Sequence, residues 1–140
     1  MTDRVELLGI YLHLARASEL RRRPLVRDRL LILGSAVAAS EGLVRVAAYC
    51  RHRVLEHNPR HLLQRWPTVG EAMLDSDFAC LLGQLQRRYP PEKAEHMLDN
   101  LGIDTARERE SYFSDEEYAA AILGTSTETL NRMFGRVDRP

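Results

Sequence analysis

The sequence has few of the features that identify a chemistry. Aromatic residues make up only 6% of the 140 positions, and Trp66 is the sole tryptophan. Any core must therefore consist mostly of Leu, Ala, Val and Ile. The chain contains no Gly-x-Ser-x-Gly turn, no phosphate-cradling loop and no Gly-x-Gly-x-x-Gly segment, and its eight glycines are dispersed. An enzyme is the least favoured class of function.

Cysteine and metal-ligand patterns are also sparse. Cys50 and Cys80 each lie in an apolar helical pattern, which predicts two buried thiols in a reducing, cytoplasmic compartment rather than a disulfide. His52, His57 and His61 lie close to Cys50 in sequence, but a helix break expected after His57 separates the last two histidines. There is no Cys-x-x-Cys pair and no His-Glu-x-x-His motif. We therefore predict no metal site and no cofactor.

Long apolar runs typical of a membrane span are absent. The longest apolar stretch, Leu30–Cys50, carries Glu41 and Arg45 near its middle, which favours a buried helix. The apolar run Leu7–Ala15 follows acidic as well as basic residues, so it is not typical of a secretory signal. We expect a protein that does not associate with membranes.

Net charge is zero, but the charges are unevenly distributed along the chain. Residues 1–68 hold twelve arginines against six acidic residues, whereas residues 69–103 and 104–140 each have an excess of three acidic residues. A basic first half and an acidic remainder can pair within one molecule or between subunits. The alternative is an ordinary mixed, solvent-exposed surface.

Hydrophobic periodicity predicts an all-α fold, a compact helical bundle with a C-terminal helical hairpin. No segment alternates with the period of two that a strand requires. We expect residues 1–103 to form the bundle and residues 104–140 a C-terminal appendage of the same domain. The expected helices cover residues 3–22, 25–57 with a bend or break near 40–42, 59–65, 68–89, 91–101, 106–112 and a final pair after Ser114.

Several of these boundaries rest on local start and stop signals. Thr68 with Glu71 and Ser114 with Glu117 have the capping-box spacing. Asn58 is expected to cap a helix that begins at Pro59, and Gly102 is expected to end one in the left-handed conformation.

Small residues recur every four positions at Gly34, Ala38 and Gly42. On a continuous helix they would form one smooth face, against which a second helix can pack by backbone contact. The alternative is that the glycines simply weaken the helix, at roughly 1 kcal/mol each relative to alanine. We expect a helix-packing face.

The segment 116–134 is typical of two short helices joined by the three-residue turn Gly124-Thr125-Ser126. Leu123, Leu130 and Met133 are spaced to share a small core between the two helices. The segment resembles the helix-turn-helix units of bacterial transcription regulators, including the last DNA-binding region of sigma factors. The residues that carry the resemblance are Glu117, Ala120, Leu123-Gly124, Ser126, Thr129-Leu130 and Arg132.

The resemblance implies a DNA-reading face on the second helix of the pair. Asparagine and arginine are the residue types that read adenine and guanine edges. The alternative is a hairpin that does not bind DNA, because five acidic residues surround it and DNA affinity depends on neutralised phosphates. The residues that would face the major groove are Thr127, Glu128, Asn131, Arg132 and Arg136.

The densest basic cluster surrounds Pro24. Such a cluster can bind phosphate or an acidic partner. The alternative is a solvated helix end, where positive charge complements the helix dipole. The cluster consists of Arg21, Arg22, Arg23, Arg27 and Arg29.

Together these features predict a non-enzymatic protein-interaction or oligomerisation module that docks helix against helix, with another protein or a second copy as its partner. A DNA-binding regulator that uses residues 114–136 is the second hypothesis. An enzyme or ligand-binding bundle without a recognisable motif is the third.

Overall fold

The computed structural model describes residues 3–105 and 107–135, and within these ranges every regular element is helical. Two short 3₁₀ helices, Leu62–Arg65 and Glu108–Ser111, accompany the α-helices. The predicted all-α class and the C-terminal hairpin are confirmed. The α-helices are α1 (Arg4–Leu20), α2 (Pro24–Ser40), α3 (Val44–His57), α4 (Val69–Ala72), α5 (Ser76–Arg88), α6 (Pro91–Asn100), α7 (Asp115–Leu123) and α8 (Thr127–Phe134).

The centre of the fold is the packing of α2 against α1 and α3. α2 is buried along most of its length, from Asp28 to Ala38, because it is apolar on all sides rather than on one stripe. One continuous core of buried residues runs from Val5 to Leu130. The C-terminal helices therefore share the core with α1 to α3.

The predicted helix over residues 25–57 is two helices, α2 and α3, separated by a short turn that contains Gly42. Gly42 has a φ of +78°, and Leu43 N–H donates to the Ala38 carbonyl at 2.8 Å. This hydrogen bond, with the one from Gly42 N–H to Ala39 at 3.2 Å, forms a Schellman turn that ends α2. The expected break is confirmed.

Residues 58–75 differ most from the prediction. No α-helix begins at Pro59; instead the His61 ring accepts from Leu63 N–H at 3.1 Å and begins the first 3₁₀ helix. Thr68 caps α4 as predicted, accepting from Glu71 N–H at 3.1 Å. That helix stops after one turn, and α5 begins separately with Asp75 as its N-cap.

The remaining boundaries follow local signals more closely. α6 ends at a left-handed Gly102, and Ser114 caps α7 by accepting from Glu117 N–H at 3.1 Å. The expected helix over residues 106–112 is the second 3₁₀ helix, and Ala106 lies outside the described residues. No helix in the described part of the chain is both long and apolar enough to cross a bilayer.

Candidate functional site

The C-terminal hairpin is formed by α7 and α8. Gly124 adopts the left-handed conformation at φ +77°, which lets Thr125 N–H donate back to the Ala120 carbonyl at 2.9 Å. Ser126 then caps α8 by accepting from Thr129 N–H at 3.1 Å. Leu123 and Leu130 are buried as predicted. Met133 is 42% exposed, so its predicted place in the small core is wrong.

The residues expected to read DNA lie on the outer side of α8. Glu128, Asn131 and Arg132 are exposed and Thr127 is half-buried, whereas Arg136 lies outside the described residues. The amide oxygen of Asn131 accepts from Arg45 Nη1 at 3.0 Å, so this side chain is already engaged within the chain.

Arg45 ties this hairpin to α3. Its Nε lies 2.8 Å from a carboxylate oxygen of Glu116, so the same guanidinium joins α3 to both α7 and α8. The ring of Phe134 packs edge-on against His52 at a centroid distance of 6.3 Å. The hairpin therefore packs as part of the helical core.

The small residues of α2 face the interior of the chain. A Cβ on Gly34 would lie 2.9 Å from Leu12 Cδ2, and Ala38 is fully buried. Gly42 is not on this face, because the helix ends before it and nothing lies within 4 Å of the position its Cβ would take. A three-residue face that includes Gly42 is therefore wrong, and α1 covers the part formed by Gly34.

Three of the five clustered arginines line a cavity of about 540 Å³ beside the turn between α1 and α2. Arg22, Arg23 and Arg27 belong to it, whereas Arg21 is exposed and Arg29 half-buried outside it. α3 completes the cavity with residues about 30 positions away, which local sequence patterns did not reveal. We call this cavity the arginine pocket; it is lined by the charged residues Arg22, Arg23, Arg27, Arg53, Glu19 and Glu56 and by the ring of His57.

A buried carboxylate lies next to the arginine pocket. The side chain of Asp28 is only 8% exposed, and its two oxygens accept from Arg27 Nη2 at 2.8 Å and contact His57 Nδ1 at 2.5 Å. A carboxylate at this depth requires such partners, because burying an unpaired charge is strongly unfavourable. Asp28 thereby fixes the position of Arg27 and joins α2 to α3.

A larger groove of about 710 Å³ lies where α1, α6 and the segment before α7 meet. We call it the acidic groove, because six carboxylates line it against two arginines. Its apolar lining includes the buried Ile10 and Leu98, the half-buried Ile103 and the ring of Phe113, which is fully exposed. The six acidic residues are Glu6, Glu95, Asp99, Asp104, Glu110 and Asp115.

Both arginines of the acidic groove are already paired. Arg109 donates to Asp115 at 2.8 Å, and these hydrogen bonds raise the pKa of Arg109. Arg107 donates to Glu110 at 3.0 Å. Neither Glu6 nor Asp99 forms a hydrogen bond or ion pair with another described side chain. The groove therefore keeps a net negative charge.

Two buried titratable groups, Tyr118 on the lining of the acidic groove and Cys50 in α3, offer little for catalysis. Burial raises the pKa of Tyr118 to about 12, with Glu108 adding to the effect, and burial also raises the pKa of Cys50 to about 12. Both groups stay protonated at neutral pH. Cys80 is exposed, so its predicted burial is wrong. Among residues 3–105 and 107–135, no three His, Cys, Asp or Glu side chains are grouped to hold a metal ion.

Comparison with known proteins gives no family assignment. No protein-family model matches the chain, and no curated protein or solved structure matches it. Function therefore has to be inferred from the shape and charge of the surfaces described above.

Proposed function

We propose that the protein is a non-enzymatic protein-interaction module, and that its acidic groove binds a segment of a partner chain carrying basic and apolar side chains. The observation that carries this proposal is the ring of Phe113, 100% exposed on the lining of a groove of about 710 Å³. An aromatic ring fully open to solvent beside a charged groove can supply much of the binding energy when a partner covers it.

The charge of the groove supports a basic partner. Six carboxylates against two paired arginines create a field that attracts cations and repels acidic chains. Glu6 and Asp99 have no competing side-chain partner among the described residues. An arginine or lysine of a partner can therefore pair with them without first breaking an internal ion pair.

The apolar part of the groove supports a partner segment that carries apolar as well as charged side chains. Covering a fully exposed phenylalanine contributes on the order of 2 kcal/mol, and aromatic side chains commonly dominate binding energy at interfaces. The face of Phe113 can also receive a cation. The partner segment should therefore combine basic and apolar side chains.

This surface replaces the helix-packing face as the docking site. Leu12 already covers Gly34, and Ala38 is fully buried, so neither residue is open to a partner. A second copy is one source of a suitable segment, because Leu20 and Leu25 are 74% and 64% exposed on either side of the basic turn Arg21-Arg22-Arg23.

The test uses two labelled peptides and fluorescence anisotropy. One peptide alternates arginine with leucine, and the other replaces every arginine with glutamate. The arginine peptide should bind and weaken as salt is raised, and the glutamate peptide should not bind. Sedimentation of the unliganded protein then shows whether a second copy is the natural partner.

Two matched variants distinguish binding in the groove from nonspecific binding to exposed apolar side chains. Phe113→Ala should weaken binding of the arginine peptide about tenfold, which corresponds to roughly 1.4 kcal/mol. Leu74→Ala removes another side chain that is 88% exposed and does not line the groove, so it should leave binding unchanged. Equal binding of both peptides, or equal losses in both variants, would refute the proposal.

DNA binding is the second candidate, and the three-residue turn between α7 and α8 favours it, with Arg132 exposed on α8. It ranks lower because Arg45 already holds Asn131 and because Glu117 and Glu128 add negative charge to the hairpin, which repels phosphates. Anisotropy with a mixed-sequence duplex should show a loss of affinity on the order of a thousandfold between about 50 and 200 mM salt if this candidate is correct. No binding at the lower salt excludes it.

A further inference from the structure

We propose that the arginine pocket is a binding site for a phosphate group, carried either by a small molecule or by a lipid headgroup. Four guanidinium groups and the ring of His57 line this cavity of about 540 Å³, against two carboxylates. The pocket shares no lining residue with the acidic groove.

Carboxylates hold two of the four arginines in place. Glu19 lies 2.5 Å from Arg53 Nη2 and 3.5 Å from Arg27 Nη1, and Asp28 holds Arg27 from the other side at 2.8 Å. Both guanidinium groups are therefore positioned before any ligand arrives. Preorganised donors bind a ligand at lower entropic cost than mobile ones.

The other two arginines supply the charge that remains available. The side chains of Arg22 and Arg23 form no hydrogen bond or ion pair with another described residue. The pocket thus combines two fixed, partly neutralised cations with two unpaired ones. A dianionic phosphate suits this set, because several guanidinium groups can donate to its oxygens at once.

The backbone of Arg22 adopts a conformation that is unfavourable for any residue other than glycine. α1 ends in a Schellman turn, in which Arg23 N–H donates to Ser18 O at 2.9 Å and Arg22 occupies the left-handed position at φ +58°. The corresponding position is glycine after α2, α6 and α7. A residue other than glycine is strained in this conformation, and an arginine at this position places a cation on the pocket lining.

Isothermal titration calorimetry with sodium pyrophosphate tests the small-molecule source. Co-sedimentation with phosphatidylcholine vesicles, with and without phosphatidic acid, tests the lipid source. We expect saturable binding in at least one arm, and the arm that binds identifies the source. Absence of binding in both arms overturns the proposal.

Matched variants then distinguish a built site from nonspecific attraction. Arg23→Ala should weaken binding at least tenfold. Arg22→Gly should do the same while raising the melting temperature, because it relieves the left-handed backbone. Loss of binding in this variant therefore cannot be attributed to unfolding.

Arg21→Ala and Arg29→Ala are the controls, since each removes one positive charge from the same cluster without touching the lining. They should change affinity less than twofold. The proposal is wrong if these controls lose as much affinity as Arg23→Ala, or if Arg22→Gly and Arg23→Ala bind like the unaltered protein.

Discussion

Replacing Gly9 with alanine should destabilise the protein, although alanine is the better helix former. Gly9 is buried within α1, and a Cβ there would lie 2.1 Å from the hydroxyl oxygen of Tyr118 and 2.9 Å from its Cζ. Alanine gains about 1 kcal/mol of helix propensity. Overpacking a core typically costs about 1–3 kcal/mol, and so close a contact places the cost of Gly9→Ala at the upper end of this range. The net loss should be about 2 kcal/mol.

Chemical denaturation followed by circular dichroism measures this loss as a lower transition midpoint. The clash should be partly relieved when Tyr118 is changed to phenylalanine, because the nearest atom is then gone while Cζ stays 2.9 Å from the added Cβ. A double-mutant cycle between Gly9→Ala and Tyr118→Phe should give a coupling of about 1 kcal/mol or more. If Gly9→Ala stabilises the protein, or if the two changes are additive, the packing of α7 against α1 described above is wrong.

Two other helical glycines serve as controls. Gly83 lies in α5, where the nearest atom to an added Cβ is Arg87 Nη1 at 3.5 Å, so Gly83→Ala should stabilise the protein by about 0.5–1 kcal/mol. Gly34→Ala meets the end of the Leu12 side chain at 2.9 Å. Since that end can shift more easily than a tyrosine ring, Gly34→Ala should change the free energy of unfolding by less than about 1 kcal/mol.

A thiol reagent should modify Cys80 in the folded protein and spare Cys50, which is fully buried with its pKa raised to about 12; labelling of both would contradict the described packing. Asp28→Ala should cost about 3 kcal/mol in a denaturant titration, because it removes the carboxylate that pairs most closely with the buried guanidinium of Arg27, and an unchanged midpoint would refute this. Burial lowers the pKa of His61 below 6.5, so the folded protein binds fewer protons at this residue than the unfolded chain does. The stability that this difference contributes is therefore fully present above pH 6.5 and is lost as the pH falls below that value. His61→Asn should flatten that part of the stability profile measured by thermal melts.

Sequence predicted the caps and turns well because these depend on neighbours within a few positions. Thr68 and Ser114, which have the capping-box spacing, each accept from a backbone N–H three residues later. Gly102 and Gly124 provide the left-handed ends of α6 and α7. The all-α class follows equally from local periodicity.

Prediction failed where two local structures were both compatible with the residues. Gly42 fits a small-residue face on a continued helix and also a helix end, and only the Schellman turn after Ser40 decides between them. Cys80 and Met133 lie in helices with one buried face, and which face packs depends on neighbouring helices. No α-helix begins at Pro59 as expected; His61 instead caps the 3₁₀ helix that follows it.

The sequence by itself determined the helical class, the terminal hairpin, the main helix ends and the separation of basic from acidic segments. Tertiary structure alone decided where those charges meet. Packing of α3 against α2 brings Arg53 to a pocket with Arg22 and Arg23, and packing of α6 and α7 against α1 brings Asp99 and Asp115 to a groove with Glu6 and Phe113. Backbone capping acts over a few residues, whereas a binding surface depends on helix crossings that no local pattern encodes.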